Sequence, residues 1–265
     1  MRETWDRLWL KRAVLDVNEV ISVDSCYHLL RRLIEPLPDN GLNILEVGCG
    51  TGIRTLSLLK RSQCCLPNSA VLVDYSRTAL ALAMKNAERN GLRVNLVLAD
   101  AFKLSFPDNT FDIVWNGGVN EHFRGEARQL IFNEMARVCK PGGQVIVIVP
   151  NSLNLPYRLW KGVFERRGEW EYGLEIPYSI FELRSKLRNA GLVPVKVSGG
   201  GTLASLSFLF RLIHRRRKHD SAEAPATIRS IRILRKIVLK TDSLLKVIGG
   251  FTGADIGIKA LKHGD

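Results

Sequence analysis

Apolar and polar positions follow two rhythms along this chain. Short apolar runs end near an acid or an amide: Ile44-Leu45-Glu46-Val47, Val71-Leu72-Val73-Asp74, 94–99 before Asp100, and 111–116 closing on Asn116. A fifth run, 144–149, follows Lys140-Pro141-Gly142-Gly143, whose Pro and Gly suit a structural type II turn. Between these runs the spacing becomes helical, over 54–60, 77–90, 126–139 and 180–190. Ser76 and Ser179 stand where N-caps belong, and Gly91 and Gly191 where helices stop. Such alternation predicts an α/β fold with a parallel sheet covered on both faces. Ligands of such sheets gather beyond the carboxyl ends of the strands, which groups Glu46, Asp74, Asp100 and Asn116 despite their separation in sequence.

The sharpest local signal is Glu46-Val47-Gly48-Cys49-Gly50-Thr51-Gly52. Glycine at alternate positions lets the backbone bend tightly and approach a ligand closely. A dinucleotide fingerprint would place its third glycine at Ile53, and Glu46 would repel a pyrophosphate. A cationic, zwitterionic ligand suits the loop better.

These residues resemble the cofactor loop of class I S-adenosylmethionine-dependent methyltransferases of the small-molecule, type 11-like kind. The other strand ends arrive in that family's order, so the likeness covers roughly residues 40 to 200. The resemblance implies a Rossmann-like seven-stranded, mostly parallel sheet, with the last strand, 254–261, antiparallel beside 193–197. It implies S-adenosyl-L-methionine as cofactor, with Glu46, Gly48, Cys49, Gly50 and Gly52 around its amino-acid end. Asp74 would accept from both ribose hydroxyls, since a carboxylate takes two hydrogen bonds at once. Tyr75 would flank the adenine, Asp100 would meet its amino group beside Ala101 and Phe102, and Asn116 and Gly117 would close the methionine side. Taken alone, Asp74 also reads as a helix-capping acid.

The implied reaction is an in-line displacement at a sulfonium methyl, which demands alignment and exclusion of water. A hydroxyl or protonated amine acceptor gains from a general base. His122, in Gly118-Val119-Asn120-Glu121-His122-Phe123, lies just past the fourth strand and has an ordinary pKa of about 6.5. It is the candidate base, with Glu121 beside it; the duller alternative is that both pin the following loop. The Glu-His pair is similar to that of ubiquinone-pathway O-methyltransferases. There a second Glu, three residues earlier, completes a divalent-metal site. That position is Gly118 here, so no metal is expected.

Composition narrows the partners. The 265 residues are 46% hydrophobic and 25% charged, and five cysteines without a C-x-x-C pair argue against a disulfide framework or a zinc site. No signal-peptide apolar region and no membrane-length apolar run is present, so the expected place is the cytoplasm. Tyr157, Trp160, Phe164, Trp170, Tyr172 and Tyr178, with Glu175 among them, join Trp5, Trp9 and Tyr27 as the expected roof of an apolar or planar acceptor pocket.

From Thr202 to Asp265, thirteen Lys/Arg face five Asp/Glu, which is +8 of the chain's formal +13. Over 227–248 the apolar and cationic residues fall on opposite helical faces, the pattern of a helix lying in a membrane interface. A helix packed on the core with a solvated basic face is the alternative reading. Nucleic acid ranks below both, because Phe208 and Phe210 are the only aromatics between Thr202 and Ile248. The expected organisation is therefore an N-terminal helical cap, 1–40; the cofactor-binding core, 41–201; a basic amphipathic helical insertion, 202–250; and the final strand of the sheet, 251–265. The expected function is methyl transfer to a small-molecule or lipid-like acceptor, with an anionic membrane surface as partner of 203–248. The alternatives are a soluble O- or N-methyltransferase of a sugar or glycan precursor, an RNA methyltransferase, and a non-catalytic S-adenosylmethionine-binding protein.

Overall fold

A computed structural model describes residues 2–34, 41–61, 69–201 and 253–264. Three helices open the chain: α1 (Arg2–Leu10), α2 (Val17–Val23) and α3 (Ser25–Ile34). Then follow β1 (Asn43–Val47), α4 (Ile53–Arg61), β2 (Ser69–Asp74), α5 (Arg77–Arg89), β3 (Asn95–Leu98) and β4 (Phe111–Gly117). A 3-10 turn, Asn120–His122, leads to α6 (Ala127–Val138), β5 (Cys139–Pro150), α7 (Leu155–Arg166), α8 (Ile180–Asn189), β6 (Leu192–Gly200) and β7 (Asp255–Lys262).

The strands form one seven-stranded sheet in the order β3-β2-β1-β4-β5-β7-β6. Pairs from β3 through β5 are parallel, and β7 runs antiparallel between β5 and β6. The expected Rossmann-like architecture, with its antiparallel last strand, is the one observed.

Two-residue alternation decides which helices each strand residue meets. Leu45, Val47, Val114, Val145 and Val147 face the layer containing Ile131, Phe132 and Met135 of α6 and Leu183 of α8. Ile44, Ile113, Trp115, Ile146 and Ile148 face Leu29, Leu30 and Leu33 of α3 and Leu56 of α4. Burial on both faces explains why these strands read as nearly continuous apolar runs. Trp115, fully buried, satisfies its indole N–H on Thr55 Oγ1 at 3.1 Å. Ser76 and Ser179 cap α5 and α8 by accepting from Ala79 N and Glu182 N, each worth about 1 kcal/mol.

One expectation shifts. Lys140-Pro141-Gly142-Gly143 is not a free turn but an irregularity inside β5. The register jumps there from Phe111↔Cys139 to Ile113↔Gln144, and Gly142 takes φ 73°. Proline has no ladder N–H to give, so it is tolerated in a strand at such a bulge. The basic stretch 202–250 follows β6 and precedes β7 in the chain, but the amphipathic helix read over 227–248 lies outside the described residues. No described helix is long and apolar enough to cross a membrane. Cys26, Cys49 and Cys139 are buried free thiols.

Candidate active site

The glycine loop is fixed by backbone hydrogen bonds to the end of β2. Cys49 N donates to Val73 O at 2.8 Å, and Gly50 N donates to Asp74 Oδ2 at 2.9 Å. Ser76 N donates to Asp74 Oδ1, also at 2.9 Å. Asp74 therefore ties the loop to the start of α5, and its carboxyl is still raised, because burial outweighs these donors. Gly48 and Gly50 take φ of 70° and 52°, where side chains are strained. A Cβ on Gly48 would stand 2.4 Å from Val119 Cγ2, and one on Gly50 2.7 Å from the Trp9 ring. Gly52 packs instead against Leu72 and Ala83, bringing α4, β2 and α5 close together.

Glu46, at 4% exposure, lies behind this loop rather than on the cavity wall. Burial pushes its carboxyl up to about 8, opposed by hydrogen bonds from Thr55 and by the charge of Arg54. Its Oε2 has no hydrogen-bond partner among the described residues. An orphaned buried acceptor of this kind costs about 1–3 kcal/mol.

A cavity of about 190 Å³ opens in front of the loop. Of the expected cofactor residues, Gly48, Asp74, Tyr75, Asp100, Ala101 and Phe102 line it, and so does His122. Trp5 and Trp9 of α1, expected over the acceptor, lie directly on this cavity. Asp6 of the same helix accepts from the Ser76 hydroxyl, which ties α1 to the α5 cap. Asp100 Oδ1 accepts from Phe102 N at 3.0 Å and so shapes its own turn. The wall also includes Val119 and Phe123, neither singled out in the sequence; Phe123 meets Phe102 edge-on at 4.7 Å.

Asn116 and Gly117 do not line this cavity. The strand alternation turns Asn116 toward α6, where its amide donates to Asn120 Oδ1 and Met135 Sδ. Gly117 is packed near Trp115 and Cys26, and the cavity wall at this point is Gly118 and Val119. Tyr27 and Tyr178 are also displaced from the expected roof: both are fully buried core residues, Tyr178 lying under the Arg128 guanidinium.

On the other side of the cavity, the Asn120–His122 turn buries all three of its residues. His122 Nδ1 lies 2.6 Å from Leu174 O. A neutral ring therefore donates there and leaves Nε2 as an acceptor. Burial lowers the His122 pKa, against the pull of the Leu174 and Gly118 carbonyls. Trp5 meets the imidazole edge-on at 4.8 Å and stacks on Trp9 at 5.7 Å. From Trp5 the aromatic row continues through Tyr172, Trp170 and Trp160. Glu175 stands beside the turn, accepting from the Tyr157 hydroxyl, and burial pushes it up to about 8. Carboxylate oxygens of Glu121 and Glu175 and a ring nitrogen of His122 lie within 4.8 Å of one another. No sequence signal links Glu175 to His122, since folding alone brings them together.

Residues 45–147 match the family described as a methyltransferase domain. Over that stretch the chain is similar to class I S-adenosylmethionine-dependent methyltransferases, and the cofactor that this likeness implies is S-adenosylmethionine. It is similar to the demethylmenaquinone methyltransferase of Thermus thermophilus, with 32% identity over 134 residues, covering 50% of this chain and 58% of that protein. The 27-O-demethylrifamycin SV methyltransferase of Amycolatopsis mediterranei shares 28% identity over 206 residues, covering 71% of this chain and 69% of its own. A chain from the Haloferax volcanii complex containing the Trm112 methyltransferase activator aligns over 100% of this chain and 98% of its own. Its identity is 16% and its TM-score 0.63, a likeness of fold. The chain spans less than three-fifths of the length of the first curated relatives it matches, 57% and 58%.

Proposed function

We propose that this protein transfers the methyl group of S-adenosylmethionine to a small-molecule or lipid-like acceptor that enters beside His122. The observation that carries this reading is the glycine loop, tied down by Asp74 and facing a cavity that ends at a neutral imidazole. When bound, the cofactor supplies an electrophilic methyl on a sulfonium. Asp74 accepts from Gly50 N and Ser76 N, with the Tyr75 backbone also donating, which leaves capacity among its roughly four lone-pair sites for a sugar hydroxyl. The partnerless Oε2 of Glu46 suits a cation and would meet the amino-acid end from behind the loop. Trp5 and Trp9 keep water from the reacting line, so that solvent does not replace the acceptor. Glu121 and His122 handle the acceptor's exchangeable proton or developing charge, with Nε2 as the contacting atom. Relatives named for demethylmenaquinone and a rifamycin support a small molecule as acceptor.

The lipid-like acceptor and a site at the cytoplasmic membrane face are the finer part of the proposal. Leu153, Leu155 and Leu159 are exposed at 44%, 64% and 67% at the start of α7, the helix that carries part of the aromatic row. Exposed leucines, in a chain whose residues 202–265 carry +8 of formal charge, suit an anionic bilayer. Turnover to S-adenosylhomocysteine with fractionated cell lipids and metabolites tests the reaction. Flotation with anionic vesicles tests the membrane, with Arg215, Arg216, Arg217 and Lys218 all changed to Glu as control. Retention on RNA without vesicle binding would reverse the preference for membrane.

A further inference from the structure

We propose that Glu121, His122 and Glu175 form a binding site for a divalent first-row transition ion, of which zinc and manganese are the type. Their ligand atoms lie within 4.8 Å of one another, the one such group among the described residues. His122 Nε2 and Glu121 Oε1 are 3.9 Å apart. That is too long for a hydrogen bond. It fits atoms bound to one ion at about 2.0–2.2 Å each, which stand roughly 3–4 Å from one another.

Three further features favour an ion. Glu121 is 2% exposed, and its Oε2 has no hydrogen-bond partner among the described residues. The imidazole is held through Nδ1 by the Leu174 carbonyl, the outer contact by which a metal-binding histidine is usually oriented. Glu175 is held in turn by the Tyr157 hydroxyl. Charge agrees, since two carboxylates cancel a dication. One imidazole and two carboxylates make a donor set for zinc, manganese or iron rather than for calcium, which prefers oxygen alone.

Three protein ligands also leave a coordination position open. His122 borders both the cofactor cavity and an adjoining hollow walled by Trp5, Tyr172 and Leu174, so an open position would face an acceptor. An ion on Nε2 would take over the acceptor contact that the free imidazole otherwise makes; that use of the ion rests on the proposed methyl transfer, and its binding does not.

Untagged full-length protein, stripped with a chelator and dialysed, is titrated with Co²⁺ by visible absorption and with Zn²⁺ by calorimetry. One ion per chain is expected, with Co²⁺ bands of a low-coordinate nitrogen and oxygen site. Glu175→Gln and His122→Ala should each weaken binding at least about 10–100-fold, and Tyr157→Phe by less. Thermal unfolding of each variant confirms the fold, and Glu175→Asp replaces Glu175→Gln if that variant does not fold. No stoichiometric uptake by the wild type, or equal uptake by the variants, would overturn the site. S-adenosylmethionine binding is measured on the same samples. If it persists without ion uptake, this inference fails and the methyltransferase reading stands; uptake without cofactor binding gives the reverse.

Discussion

The two walls of the cavity are built in different ways. On the wall proposed for the cofactor, one short loop and one strand end are joined through backbone groups and the two oxygens of Asp74. On the acceptor wall, α1, the turn after β4 and the segment after α7 each contribute a few side chains that meet only in the folded protein. The first wall is held by hydrogen bonds between the glycine loop and the end of β2. The second carries buried acids and an imidazole whose partners come from elsewhere in the chain.

The largest effect that separates the walls is expected from Asp74→Ala. It orphans the N–H groups of Gly50 and Ser76, at about 1–3 kcal/mol each, and removes the sugar's acceptor. Cofactor binding should vanish by calorimetry, with a clear fall in Tm. If Asp74→Ala binds normally, the cofactor wall is not organised as described. His122→Ala should do the opposite: kcat falls by about 10²–10⁴-fold while cofactor affinity is kept, as seen by pairing turnover with calorimetry. An equal loss of both would erase the distinction between the walls.

A pH series gives the next effect. Glu46 and Glu175 are both pushed up to about 8 by burial, from an ordinary 4.5. An acid raised in this way holds its proton in the folded chain and not in the unfolded one. Its stabilising contribution is complete below about pH 4.5 and is lost as pH rises toward 8. With chelator and without cofactor, Tm should fall from pH 5 to pH 8, and Glu46→Gln should flatten the slope. A flat wild-type profile would show that these carboxyls are not desolvated. The smallest effect is that of Gly50→Ala. The left-handed conformation costs about 1–2 kcal/mol there, and the added methyl displaces Trp9, so Tm should drop by about 2–6 °C.

Sequence reading reached one wall more fully than the other, for the same physical reason. Glu46, the alternate glycines and Asp74 lie at strand ends, where apolar period and turn chemistry announce the geometry locally. Asn116 and Gly117 were placed on the wall because they end β4, but the pleat turns Asn116 to α6 and moves the wall to Gly118 and Val119. Lys140-Pro141-Gly142-Gly143 has the composition of a turn, and only pairing with Phe111 draws Cys139 into the strand ahead of it. Trp5 and Trp9 were legible as aromatics near the site, but Trp9 was not legible as the surface lying on Gly50. Glu175 was visible only as one residue of an aromatic stretch, since its partners are far away in the chain. The basic segment 202–250 is still known from its sequence pattern alone.

The central claim is that the loop at Gly48 and the carboxylate of Asp74 hold S-adenosylmethionine. Calorimetric titration of the full chain with that molecule tests it most directly. The account predicts saturable heat at one molecule per chain, lost in Asp74→Ala and retained in His122→Ala. Absence of heat from the folded wild-type protein would contradict it.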